Sequence, residues 1–178
     1  AQLLKSAADG SLLTAEGIAK EAGRMLKDPR SDSFVKHFSE KWLQLDKVGT
    51  QLPSHTTFPR YFTHQLEAAM KKETELFVKH VLSENLPVKT FLDSDFAFVN
   101  SNLAHHYGIE GVSGHEFQKV ALTNRTRGGL LGQASILTAS ANGIDTSPVI
   151  RGIWVLENLF GTPPSPPPPD VEPIEPDI

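Results

Sequence analysis

The sequence contains no cysteine. Disulfide bridges, thiolate zinc sites and covalent attachment of a c-type haem are therefore excluded within the chain itself. No apolar run approaches the roughly 18 residues that a transmembrane helix needs. The opening stretch AQLLKSAADG has no basic region followed by a long apolar one, so it does not read as a signal peptide. Positive charge is also in short supply. The net charge is −4, and Asp170, Glu172, Glu175 and Asp177 account for all of it, leaving the first 161 residues near neutrality. Without a basic stripe, binding to nucleic acid or to an anionic membrane surface is not expected. The motifs G-x-S-x-G, H-E-x-x-H, the Walker loop and a G-x-G-x-x-G after a strand are all missing.

What is present is an ordinary globular composition. The 178 residues are 39% hydrophobic, enough to bury a core without staples, and they fit one domain or two small ones. Helical periodicity dominates. Thr14 caps a helix over 15–28 whose stripe is Ile18, Ala22, Met25 and Leu26, ended by Pro29. A second helix begins at Ser31 or Ser33 and runs to about Asp46, with Phe34, Phe38, Trp42 and Leu45 on one face. The longest helix spans 62–84, with Leu66, Met70, Phe77 and Val81 in line. A short helix ends at Gly108, and a short strand within 116–123 suggests a two-stranded element. A helix over 129–139 follows the small-residue run RGGLLGQAS. A last helix opens at Pro148, with Val149, Ile153, Val155, Leu156 and Phe160 toward the core, and closes at Gly161. The fold class is mainly α: an irregular bundle of about five to seven helices with long loops. Residues 1–161 form the helical domain, divisible at 124/125. Residues 162–178, TPPSPPPPDVEPIEPDI, form an extended polyproline-type strap or linker.

Several residues carry potential chemistry. Glu73 falls on the apolar stripe of the longest helix, where a carboxylate is costly unless it is paired. It is either a structural acid meeting an arginine or a backbone amide, or a buried acid in a site. His105 and His106 are adjacent, so on a helix they point about 100° apart and do not share one metal. Each is a structural histidine or a ligand to a group from elsewhere. Arg125, Arg127 and Arg151 need partners, with Glu73 and Glu157 as candidates. A structural ion pair is favoured over an anion site. Asp93 and Asp95 are too few for a cation loop and suit helix capping better. No metal site is expected.

Longer stretches are similar to known families. RGGLLGQASILTASANGIDTSPVIRGIWVLENLFGTPPSPPPPDVEPIEPD resembles one of the planctomycete-specific domains of unknown function. MLKDPRSDSFVKHFSEKWLQLDKV, MKKETELFVKHVL and DFAFVNSNLAHHYGI resemble the domain that precedes it in the same proteins. The likeness runs from Arg24 to Asp177. Such proteins are large, exported and multidomain. They carry c-type cytochrome segments, with a C-x-x-C-H motif a short way beyond a tail like this one.

The resemblance implies a non-haem helical portion of an exported, periplasmic or cell-surface oxidoreductase. Its haem would lie elsewhere in the full-length protein or in a partner chain, and its partners would be cytochrome c-type domains or chains. His106 and Arg127 are then the residues that would approach a cofactor, and Glu73, His105 and His106 the candidates for chemistry. A cell-surface glycan- or protein-binding module without catalysis is the alternative. A hydrolase built on Glu73 and Asp95 is a third reading, supported by the stripe acid alone.

Overall fold

The computed structural model describes residues 2–123, 127–141 and 145–165. Among them are eight α-helices: α1 (Gln2–Ala8), α2 (Ala15–Leu26), α3 (Ser31–Trp42), α4 (Pro59–Thr63), α5 (Leu66–Ser83), α6 (Ser101–Tyr107), α7 (Ala134–Ala139) and α8 (Pro148–Asn158). Strands β1 (Phe96–Val99) and β2 (Gln118–Ala121) pair antiparallel, Phe96 opposite Ala121 and Val99 opposite Gln118. The mainly α class therefore holds. Two helices exceed the sequence expectation. One is α1. The other is α4, split from α5 because Gln65 adopts a left-handed conformation (φ 49) at the junction.

Helix α5 is the spine. Its C-terminal half buries Phe77, Val78 and Val81 against Val35, Leu43, Leu130, Ile136 and Trp154. Its N-terminal half buries Leu66, Ala69 and Met70 against Tyr61, Val99, Leu103 and Ala134. Each fully buried large apolar side chain in these clusters contributes about 1.5–3 kcal/mol over leaving it exposed.

Caps fix the ends. Thr14 accepts from Gly17 N, Asn100 from Leu103 N and Ser147 from Ile150 N. Asn100, not Asp93 or Asp95, caps α6, and both aspartates are exposed.

Three expected helix faces are rotated. In α2 the buried residue is Glu21, held by Arg24 at 2.7 Å and by Ser6 of α1, while Ile18 and Met25 are exposed. This helix packs on the turn that follows α1. In α3 the inward residues are Val35 and Ser39, and Phe34 and Phe38 stand outside. In α8 Trp154 is buried, with Val155 and Leu159 packed partly against the core. Val149, Leu156 and Phe160 are exposed, and Ile153 is half-buried. In both α3 and α8 the sequence is apolar on more than one face, so spacing alone does not select the face that meets α5.

The small-residue run reaches its place by close approach. Gly129 has φ 71, and a Cβ there would lie 2.5 Å from the Leu92 carbonyl. The helix expected from 129 therefore starts only at Ala134, after a single turn of 3₁₀ helix at Leu130–Gly132. Of the proline-rich segment, residues 162–165 lie outside helix and strand and are exposed; the expected strap over 166–178 lies outside the described residues.

Candidate functional site

The stripe acid is buried and bonded. Glu73 is 1% exposed, at the middle of α5. The Tyr107 hydroxyl, at the end of α6, donates to Glu73 Oε2 at 2.5 Å and accepts from the backbone N–H of Ala134 at 2.8 Å. Arg127 lies over the Tyr107 ring, 4.3 Å from its centroid, and donates to the Gly132 carbonyl at 3.4 Å. Burial pushes the Glu73 carboxyl up to about 8, against the Tyr107 hydrogen bond and the Arg127 charge, which both pull it down. At neutral pH the acid is mostly protonated. Burial and the neighbouring Glu73 hold the Tyr107 phenol well above its ordinary value.

The next residue of α5 extends the cluster. Thr74 donates to Gln133 Oε1 at 2.6 Å and accepts from Ser135 Oγ at 2.6 Å. All three are buried. Glu73 and Thr74 thus connect α5 to α6 and to the start of α7 through hydrogen bonds. Its chemical capacity is to store one proton at Glu73, with Tyr107 between the acid and the outside.

Two cavities flank this wall. The first, of 640 Å³, is lined by Phe58, Leu66, Met70 and Leu137, with Arg60, His106 and Arg151 among its polar groups. The second, of 540 Å³, is bounded by Tyr107, Arg127, Gln118 and Val120. His106 and Tyr107, with ring centroids 5.6 Å apart, therefore face different cavities.

Of the four residues singled out in the sequence, the structure gathers Glu73 and Arg127 around Tyr107 and sets His106 beside them. Desolvation first, then the charges of Arg127 and His105, hold the His106 imidazole below its ordinary value. His105 joins another group: Arg60 donates to its Nε2 at 2.5 Å, and the His64 ring is 6.4 Å away. Arg151 meets neither Glu73 nor Glu157; it donates to Ser140 Oγ at 3.3 Å and Thr146 Oγ1 at 2.7 Å. Arg125 lies outside the described residues. Asp95 is exposed beside β1, apart from the buried cluster, so the Glu73–Asp95 hydrolase has no paired carboxylates. Among the described residues no three His, Asp or Glu side chains gather as a metal site, and no helix is long and apolar enough to cross a membrane.

Tyr107, Thr74 and Arg60 are additions to the sequence reading. One signal pointed to Tyr107: a buried acid requires a donor, and a tyrosine stood beside the two histidines.

Two family models match the chain. Residues 1–109 match PSD4, described as a protein of unknown function (DUF1592). Residues 127–178 match PSCyt3, described as a protein of unknown function (DUF1588). No curated protein and no solved structure matches the chain. The Tyr107–Ala134, Thr74–Gln133 and Thr74–Ser135 bonds all run between the two matched segments. The chain belongs to the PSD4 (DUF1592) family, with a PSCyt3 (DUF1588) segment following.

Proposed function

We propose that this chain is the non-haem helical portion of an exported oxidoreductase carrying c-type cytochrome domains, and that it packs against one of them through the outer face of α3. The name PSCyt3, which matches the C-terminal segment, points toward cytochromes. The observation that carries the reading is local. Phe34 and Phe38 stack at 5.7 Å on the surface, 55% and 41% exposed, and Phe38 continues to the half-buried Trp42 at 5.3 Å. Trp42 in turn bonds the end of α8, where the proline-rich segment departs. An apolar aromatic surface of this kind suits a flat, apolar partner such as the edge of a haem domain.

The residues present fit contact with a haem held elsewhere and not a covalent haem of the chain's own, because cysteine is absent. In this reading the PSD4 and PSCyt3 segments act as one unit joined by the Glu73–Tyr107 network. His106 and Arg127 are cavity-wall groups, and Glu73 is sealed from any partner. Haem would supply electron transfer when the partner domain is docked; this chain orients and covers it.

Isolation of the protein from its source, followed by a visible spectrum and an intact mass, tests the reading. A Soret band that travels with the chain is expected. A colourless preparation with the mass of the 178 residues alone would overturn it.

A further inference from the structure

The 640 Å³ cavity lies apart from the α3 face, and its contents are chemically asymmetric. Phe58, Leu66, Met70 and Leu137 give it an apolar wall. Its volume falls within the roughly 300–1,000 Å³ typical of small-molecule sites. Arg60, Arg151, His106, Asp145 and Tyr61 are the ionisable groups among the described residues that line it. Arg60 donates to Nε2 of His105, and Arg151 to the hydroxyls of Ser140 and Thr146. Both guanidiniums are thus oriented by a ring nitrogen or hydroxyls. With Asp145 on the same lining, the two arginines leave one positive charge in excess among the described residues. Arginine's planar fork matches a carboxylate.

We propose that this cavity binds an amphipathic monocarboxylate, with a hydrocarbon body against Leu66, Met70 and Leu137 and its carboxylate taken by Arg60 and Arg151. A single anionic group suits the single excess charge better than a dianionic phosphate does. The inference does not rest on the docking reading: the site is complete within this chain.

Titration calorimetry of the intact 178-residue protein with dodecanoate and with dodecanol tests it. Dodecanoate binds saturably, and dodecanol binds at least about tenfold more weakly, as loss of a charge-assisted hydrogen bond requires. Arg60→Ala and Arg151→Ala each weaken dodecanoate about tenfold or more, with circular dichroism confirming that each variant stays folded. Leu137→Trp, which pushes a larger side chain into the apolar wall, weakens both. Absence of dodecanoate binding overturns the proposal. So does equal affinity for the alcohol and the acid, or unchanged affinity in the folded Arg60→Ala protein.

Discussion

The Trp42 indole N–H donates to the main-chain carbonyl of Asn158 at 2.7 Å, tying the end of α3 to the end of α8. The two residues are 116 positions apart in the chain. The same ring contacts Phe38 at 5.3 Å and Phe91 edge-on at 5.2 Å. One side chain therefore anchors the last helix, continues the aromatic ladder and fixes where the proline-rich segment begins. Trp42→Phe keeps most of the packing and loses the hydrogen bond. It should cost about 1 kcal/mol. Trp42→Ala also leaves a cavity and should cost about 3 kcal/mol or more. Urea denaturation of the two variants checks the order.

Glu73 makes stability depend on pH. Its carboxyl titrates near 4.5 in the unfolded chain and near 8 in the folded one. Between those values the folded state holds the extra proton, so stability is fully present below about pH 4.5 and declines as pH rises through 8. The decline is on the order of 3–5 kcal/mol across that window. Glu73→Gln, neutral at every pH, should remove most of this slope while leaving an acceptor for Tyr107. Denaturant midpoints measured from pH 5 to pH 9 give the comparison; parallel curves for the two proteins would refute the assignment.

Tyr107→Phe removes one hydroxyl and orphans two buried partners, Glu73 Oε2 and the Ala134 N–H. The expected loss is about 2–4 kcal/mol, because each unsatisfied buried group costs about 1–3 kcal/mol. A double-mutant cycle with Glu73→Leu, which removes the acceptor, should show strong coupling, since the two side chains share one bond.

Two glycines should respond in opposite directions. Gly129→Ala meets the Leu92 backbone at 2.5 Å and strains a positive φ, so it should destabilise by about 2 kcal/mol or more. Gly23→Ala, inside α2 with nothing within 4 Å of the new Cβ, should stabilise by about 0.5–1 kcal/mol. Thermal melts of the pair provide the check.

Much of this molecule was legible in its sequence. The cap at Thr14, the buried stripe of α5 and the misplaced acid within it follow from spacing and from the cost of burying charge. The rest depends on contacts between distant residues. Phe34 and Val35 are neighbours that both qualify as core, and only the position of α5 decides that Val35 goes in. Gln65 carries no glycine signal, so the break between α4 and α5 is set by tertiary packing. Tyr107 becomes the partner of Glu73 because α6 lies against α5, which no local pattern encodes. Arg151 illustrates the same limit: charge arithmetic suggested a carboxylate, and the fold supplied hydroxyls.

The outer face of α3 is the part of the account most exposed to refutation. A photoreactive phenylalanine analogue placed at position 34, in the protein expressed in its native host, can be irradiated and the adducts sequenced by mass spectrometry. Adducts are expected on a segment carrying a C-x-x-C-H haem-attachment motif, in the same polypeptide or in a partner. Adducts confined to proteins or segments without haem, or none above the level seen with the analogue at buried Phe77, would contradict it.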